Sequence, residues 1–360
     1  MDVLADVLRV VRLTGAVFFT AEMSSPWSVS SPPSDQLKPL LAPTAECLAL
    51  FHILSEGEAC RIVAPDQPVL SMEPGDLLIL PHADEHVMTV SAGMAPVPLG
   101  ALLPPRAPGR IPRLVYGGGG QVSRFVCGFL HCDQRFNPLI GALPSLICVR
   151  IRDGTATVYS SFRGESELRK SALPEAGAWL ANTLQYAVAE AMAAQIADRA
   201  MLARFAELLF AEVLRRYTET MPAGGSGWLA GLTDVQVGRA LKLLHAEPTR
   251  TWTVEALGRE AGISRSSLAE RFATLIGESP MRYLAAWRMQ LAKRLLRETQ
   301  FGIGEIGAQV GYESEAAFNR AFKRYVGEPP ATWRGRRTAP PKPGGEAGLA
   351  SAANRVGGQA

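Results

Sequence analysis

All five cysteines of this 360-residue chain, and four of its five histidines, lie before residue 150. They are Cys47, Cys60, Cys127, Cys132 and Cys148, with His52, His82, His86 and His131. Two kinds of chemistry suit such a set. Imidazole nitrogens and thiolates ligate borderline cations, so His52, His82 and His86, with a cysteine such as Cys127, are candidate ligands for zinc. A thiol beside a histidine is more easily deprotonated, and the thiolate is the form oxidants attack. That makes Cys127, with His52 and His86, a candidate effector or redox site. The competing reading is that Cys127 and Cys148 are small buried apolar residues, and it is the favoured one. The cysteines are odd in number and show no zinc-finger spacing. Hydrolytic and nucleotide chemistry find no support: there is no Gly-x-Ser-x-Gly elbow, phosphate loop or dinucleotide fingerprint, and the run Gly117–Gly120 lacks a following lysine.

A second set of residues suits the reading of DNA. From Thr253 to Arg334 two helix-turn-helix units follow in tandem, TVEALGREAGISRSSLAERFATLIG and GIGEIGAQVGYESEAAFNRAFKRYVGEPP. Each opens with a short amphipathic helix carrying Leu257 and Ala261, or Ile306 and Val310. Gly262 or Gly311 then ends it, and Ser264 or Ser314 is placed to cap the next helix. That second helix buries Leu268, Phe272 and Leu275, or Phe318, Phe322 and Tyr325. Its opposite face is short and polar, as entry into a major groove requires. It carries Arg265, Ser266, Ala269 and Glu270 in the first unit, and Glu315, Ala316, Asn319, Arg320 and Lys323 in the second. Arg320 suits a bidentate contact with guanine, Asn319 one with adenine, and Lys323 a phosphate. Glu270 and Glu315 either accept from cytosine or merely solvate the helix. Arg271, at the edge of the buried stripe, is expected in an internal ion pair. Ser279-Pro280 starts a connecting helix of about 20 residues, hence roughly 30 Å long, against about 34 Å between successive grooves. One chain can thus reach two adjacent grooves.

These positions resemble the DNA-binding domain of the AraC/XylS family of bacterial transcription regulators. The resemblance rests on Ala256-Leu257, Ala261-Gly262, Ser264, Arg271-Phe272, Gly277, Ser279-Pro280, Tyr283-Leu284 and Arg288. In the second half it rests on Ile306, Gly311-Tyr312, Ser314, Phe318, Arg320, Phe322-Lys323, Gly327, Pro330 and Arg334. It spans residues 227–337, about a third of the chain. It implies double-stranded promoter DNA as partner and, since the family is mostly of activators, RNA polymerase as a second.

Charge agrees with this placement. Residues 233–337 hold 17 Lys and Arg against 11 Asp and Glu, whereas residues 1–232 hold 18 against 22. The basic excess therefore sits where phosphates are expected. Apolar content of 47% with 20% charged residues indicates a globular protein with real cores. No apolar run is long enough to cross a bilayer. The start, MDVLADVLRVVRL, reads as a short amphipathic helix and not a signal peptide. The expectation is a cytoplasmic protein with largely reduced cysteines.

Residues 14–151 read as mostly β, with short apolar runs such as GAVFFTAEM, CLALFHIL, DLLILP and RFVCGFLHC between Gly, Pro and Asp signals. The run SMEPGDLLILPHADEH, with FHILSEGEACRIV before it, resembles the sensor domain of cupin-like AraC regulators. A metal cupin holds its cation with an HxH pair, a Glu and a later His. Here the first motif offers His52 alone, which argues against an iron-dependent enzyme. Some members of that subgroup respond to oxidants through cysteine, and the Cys127-Gly128 step is frequent among them. Ser25–Pro43 and Met94–Pro112 read as loops, and Gly117–Gly120 as a flexible turn. Two helices are expected near 174–194 and 197–218, with stripes Trp179, Leu180, Leu184, Val188, Met192 and Leu202, Phe205, Leu208, Leu209, Val213. They either form a homodimer or pack on the barrel.

The fold class expected is thus α+β and multidomain: a cupin-like β-barrel or jelly roll (1–165), a helical linker pair (166–226), an all-α tandem helix-turn-helix domain (227–337) and a disordered tail (338–360). The function expected is a sequence-specific DNA-binding transcription regulator, an activator and not an enzyme, controlled by a small-molecule or oxidant signal, with no cofactor unless zinc is bound. The alternative is a cupin metal-binding protein or enzyme fused to a DNA-binding module.

Overall fold

The structure, a computed structural model, describes residues 3–4, 6–7, 14–43, 45–104, 111–132, 138–152, 155–173, 177–193, 199–219 and 227–338. The tail expected to be disordered lies, after Thr338, outside the described residues. The rest divides into two compact units. One is drawn from Leu13–Asp133 and Leu143–Thr220, the other from Met1–Arg12, Gln134–Ala142 and Met221–Glu346.

The first unit is a two-sheet sandwich. Its strands are β1 (Thr14–Ser24), β2 (Ser28–Ser31), β3 (Cys47–Glu56), β4 (Cys60–Val63), β5 (Leu70–Met72), β6 (Leu77–Leu80), β7 (His86–Thr89), β8 (Val97–Pro98), β9 (Arg113–Gly117), β10 (Val122–Cys132), β11 (Leu146–Arg152), β12 (Thr155–Ser161) and β13 (Arg169–Leu173). Eight form one sheet in the order β13-β12-β11-β6-β3-β10-β1-β9, and five form the other, β5-β4-β7-β2-β8. Strand alternation explains the core. Phe19, Ala21 and Met23 of β1, Leu48, Leu50 and Leu54 of β3, and Phe125, Cys127 and Phe129 of β10 face Val29, Ile62, Leu70 and Met72 of the smaller sheet.

Several expectations need correction here. The Pro-rich stretch Ser25–Pro43 is not a loop: it holds β2 and the helix α1 (Ser34–Leu41). Trp27, Val29, Leu37 and Ala42 within it are buried in the core, and that burial outweighs proline's local signal. In the second stretch, β8 and the short helix α2 (Leu99–Leu102) precede residues 105–110, which lie outside the described residues. The glycine run is not a free turn either. Gly118 and Gly120 donate to the carbonyls of Ser24 and Ser25 at 2.9 and 2.8 Å. Gly117 adopts φ 134°, and a Cβ there would lie 1.8 Å from the Ser24 carbonyl oxygen. The parallel pairing of β9 with β1 forces this approach.

The β region also runs past the boundary placed at 165, because β12 and β13 extend the large sheet to Leu173. Cys47 and Cys132, opposite each other on β3 and β10, form a disulfide with Cα atoms 5.3 Å apart. This corrects the expectation of largely reduced cysteines: strand register brings the two side chains together.

The two helices expected next are α4 (Gly177–Ala193) and α5 (Arg199–Glu219). They belong to the same unit as the sheets. Ala206, Leu209 and Phe210 of α5 meet Phe51, Ile53, Leu77, Ile79 and Leu130 on the outer face of the large sheet. The buried stripe of α4 is Leu180, Leu184, Ala187 and Ala191, one step from the expected one; Trp179 and Leu208 are 42% and 50% exposed.

In the second unit, the helices are α3 (Pro138–Gly141), α6 (Trp228–Thr233), α7 (Val235–Ala246), α8 (Val254–Ala261), α9 (Arg265–Ile276), α10 (Pro280–Glu298), α11 (Ile303–Gln309), α12 (Glu315–Val326) and α13 (Pro330–Thr338). Ser264 and Ser314 accept from the backbone N–H of Ser267 and Ala317 at 3.2 Å, capping α9 and α12 as expected. Gly262, Gly277 and Gly327 end helices in the left-handed conformation. Leu275 and Tyr325, expected in the core, are half-buried.

Candidate nucleic-acid interface and ligand pocket

The two tandem units repeat each other at a spacing of fifty residues. Ser264 and Ser314, Leu268 and Phe318, Phe272 and Phe322, Gly277 and Gly327, Pro280 and Pro330, and Tyr283 and Trp333 hold the same places. In both units the aromatic and aliphatic members are buried, leaving the opposite face of α9 and α12 to solvent. That face carries the candidate base readers. Ser266, Glu270, Ala316, Arg320 and Lys323 are exposed, and Ala269 and Asn319 are half-buried.

Not every candidate is free to reach a base. Arg265 turns back to Glu255 on α8, Nε to carboxylate 2.8 Å, with both side chains more than half exposed. The carboxylate of Glu315 lies against Gly304 of α11, where an added Cβ would sit 2.8 Å from it. The first residue of each reading helix thus folds over the helix before it. The Ser266 hydroxyl lies 3.2 Å from that of Ser264, inside the cap. Arg320 presents its guanidinium to solvent with no partner among the described residues. Arg271 is committed as expected: it meets Asp234 at 2.7 and 2.9 Å, and the same carboxylate caps α7 through the N–H groups of Gln236 and Val237.

The helix α10 holds the two readers in register. Its 19 residues span roughly 28 Å. Tyr283 packs edge-on against Phe272 of α9 at 5.7 Å, and its hydroxyl takes an N–H from Trp228 at 3.2 Å. The same hydroxyl is hydrogen-bonded to His245 Nε2 at 2.8 Å. Burial lowers the pKa of His245 to about 3, which keeps the imidazole neutral at neutral pH. Farther along, Met289, Ala292 and Leu296 pack with Ile306, Phe318 and Phe322 of the second unit. Arg288 clamps the junction, donating to the carbonyls of Pro248 and Arg250 at 2.7 and 3.0 Å and lying over the Tyr312 ring. A Cβ at Gly311 would stand 2.8 Å from Thr249 Cα and 3.0 Å from the Arg288 guanidinium. Sequence reasoning matched Arg288 to a family position and missed this work. Its place in the middle of the connecting helix, polar among apolar neighbours, was the available signal.

The sandwich holds a pocket between its sheets. It is lined by Phe19, Met23, Trp27, Met88, Phe125 and Leu99, with His52, His86 and Cys127 among the polar groups. Its volume is about 30 Å³, room for a water or two. These three come from β3, β7 and β10, with Ser31 of β2 also in the lining, and register explains the meeting of two of them, since His52 and Cys127 are cross-strand partners. Their hydrogen bonds run in one direction. The Asp84 carbonyl, 3.0 Å from His86 Nδ1, can only accept, so that nitrogen carries a proton. His86 Nε2 must then accept, from His52 Nε2–H at 3.1 Å. His52 Nδ1 in turn accepts from the Cys127 S–H at 3.0 Å.

Each member of this chain is neutral. Burial pushes both imidazoles below their ordinary pKa, and for His52 the neighbouring His86 adds to the effect. Burial likewise raises Cys127 far above an ordinary thiol, with Cys60 adding to it. Cys60 is pushed to about 12, chiefly by burial. Cys127 is therefore not the accessible thiolate an oxidant would need. His82 is not brought to the pocket; its Nε2 meets the Leu143 carbonyl at 3.0 Å. Both ring nitrogens of His52 and of His86 are engaged in this hydrogen-bonded chain, and among the described residues no group of three His, Cys, Asp or Glu is placed to hold a metal ion. Sequence reasoning missed Trp27 and the lining of β1, although the alternation of Phe19, Ala21 and Met23 was visible.

Comparison with known proteins agrees with these features. A cupin family model matches residues 2–164 and 167–219, and a helix-turn-helix domain model matches 257–336. A putative AraC-like transcription regulator of Streptomyces antibioticus is 29% identical over 334 residues, covering 93% of this chain and 98% of that protein. Another, of Streptomyces lividans, is 46% identical over 135 residues, 38% of this chain and 44% of that protein. Among solved structures, the DNA-binding domain of AdpA in complex with a target DNA is 27% identical, with a TM-score of 0.28 over 29% of this chain and 92% of that one. The chain belongs to the cupin family of AraC-like transcription regulators. It is a DNA-binding regulator with an N-terminal cupin domain and a C-terminal helix-turn-helix pair.

Proposed function

We propose that the chain activates transcription from promoters whose operators present two adjacent major grooves, in response to a small molecule bound in the sandwich. The observation that carries this is the rigid spacing of α9 and α12 by α10, whose length approaches the groove repeat. The resemblance to a family composed mostly of activators supports activation through RNA polymerase. No helix among the described residues is long and apolar enough to cross a membrane, which fits work on cytoplasmic DNA. The exposed Trp179, Tyr186 and Leu208 of α4 and α5 favour a homodimer through that face. The site works without metal or catalysis in this reading, because its histidines and thiol are hydrogen-bonded to one another. No observation favours the fused-enzyme alternative.

The test has two parts. DNA fragments selected by the purified chain are placed before a reporter, in cells with and without the gene. Activation predicts that reporter output falls when the gene is removed; a rise would make the protein a repressor. In the same cells Ala21→Leu, which fills the pocket, should fix output at one level. Undiminished regulation by that variant would remove the pocket from the sensing role.

A further inference from the structure

The pocket's chemistry restricts what it can hold. Its lining contains no Lys, Arg, Asp or Glu. Its histidine pair is neutral and, with Cys127, internally hydrogen-bonded, so it offers an incoming charge no counter-ion. One wall residue stands apart. Trp27 is 1% exposed, and its ring meets Phe125 edge-on at 5.7 Å. Its indole N–H is buried and has no hydrogen-bond partner among the described residues. An indole N–H can only donate, and a buried donor left unpaired is unfavourable until an acceptor reaches it. The lining also includes Met23, Met88 and Leu99. Methionine is unbranched and readily changes rotamer, so the pocket can open beyond its present volume.

We propose that the pocket takes a small neutral molecule, mostly hydrocarbon, with one acceptor oxygen of the ketone or ester kind, and that the Trp27 indole N–H donates to that oxygen. This rests on the sensing role given to the pocket above and adds the ligand's class and the residue that selects it. Charged ligands are excluded by desolvation in a wall without counter-ions, and pure hydrocarbons bind less well because they leave the N–H unpaired.

Four probes of nearly one shape separate these cases: acetophenone, isopropylbenzene, benzoate and benzamidinium. Each is titrated into the full chain labelled with ¹⁵N-tryptophan, with the Trp27 indole signal assigned from Trp27→Phe. Acetophenone should move that signal and bind at least ten-fold more tightly than isopropylbenzene, and the two ions should not bind. Trp27→Phe should bring acetophenone down to the level of isopropylbenzene, leaving the latter bound. Ions that bind as well as the ketone, a ten-fold preference that survives Trp27→Phe, or no binding by any probe would each overturn the proposal. Operator affinity measured on the same samples reads the sensing role separately. A bound ketone with unchanged operator affinity would leave the ligand class standing and remove the regulation.

Discussion

Acid should loosen the DNA-binding unit through His245. This residue is the only histidine in residues 227–338. Its ring lies 4.1 Å from that of Trp287, and its Nε2 is hydrogen-bonded to the Tyr283 hydroxyl at 2.8 Å. Burial lowers its pKa from 6.5 to about 3. Between those values the unfolded chain binds a proton that the folded chain refuses. The stability is therefore complete above pH 6.5 and declines as pH falls toward 3. At about 1.36 kcal/mol per pH unit, the step from 6.5 to 5 removes about 2 kcal/mol, roughly thirty-fold in the folding equilibrium. Urea unfolding of residues 227–338 at pH 7 and pH 5, followed by tryptophan fluorescence, measures it. The comparison chain is His245→Phe. Carboxylate contributions are common to both chains and cancel, and the hydrogen bond lost by Tyr283 shifts the variant equally at both pH values. Wild type should lose about 2 kcal/mol more than the variant between the two pH values. Equal losses would refute the buried neutral histidine.

Arg320→Ala should cost about 1–3 kcal/mol of specific DNA binding and relax preference at one position; a uniform loss on all sequences would assign Arg320 to a phosphate. Lys323→Ala should weaken specific and nonspecific DNA alike and reduce the salt slope by about one, as titrations at several salt concentrations would show. Asp234→Ala removes both the cap of α7 and the partner of Arg271, and should lower stability by about 1–2 kcal/mol in urea melts. In the native chain Cys60, Cys127 and Cys148, all buried, should resist Ellman's reagent and react on denaturation. Rapid reaction of Cys127 in native protein would reopen direct oxidant sensing.

The helix-turn-helix pair was legible because each of its signals is local. Caps at Ser264 and Ser314, stops at Gly262 and Gly311, and a 3.6-residue apolar period all fall within one or two turns of each other. The sandwich was legible in class and not in detail. Trp27 and Leu37 sit among prolines, and only tertiary burial turns that stretch into a strand and a helix. The pocket chain was half visible. His52, His86 and Cys127 were singled out as candidates, but their relation was sought as metal ligation or as a thiolate activated by histidine. Their order as donors and acceptors depends on strand register and on the Asp84 carbonyl, which residue types do not report. Arg265 and Glu315 were placed on the reading face by helix geometry alone, with Glu315 left open between a base contact and a solvated surface. Their turn back toward Glu255 and Gly304 involves residues ten or eleven positions earlier in the chain.

The central claim is that one chain reads two successive major grooves with two helices held apart by a third. Hydroxyl-radical footprinting of the full chain and of residues 227–338 on a selected operator tests it most directly. Two protected patches on one face of the duplex, one helical turn apart, are expected from the full chain and from the fragment alike. Arg320→Ala should fade one patch and leave the other. A single protected groove, or two patches that need a second copy of the chain, would contradict it.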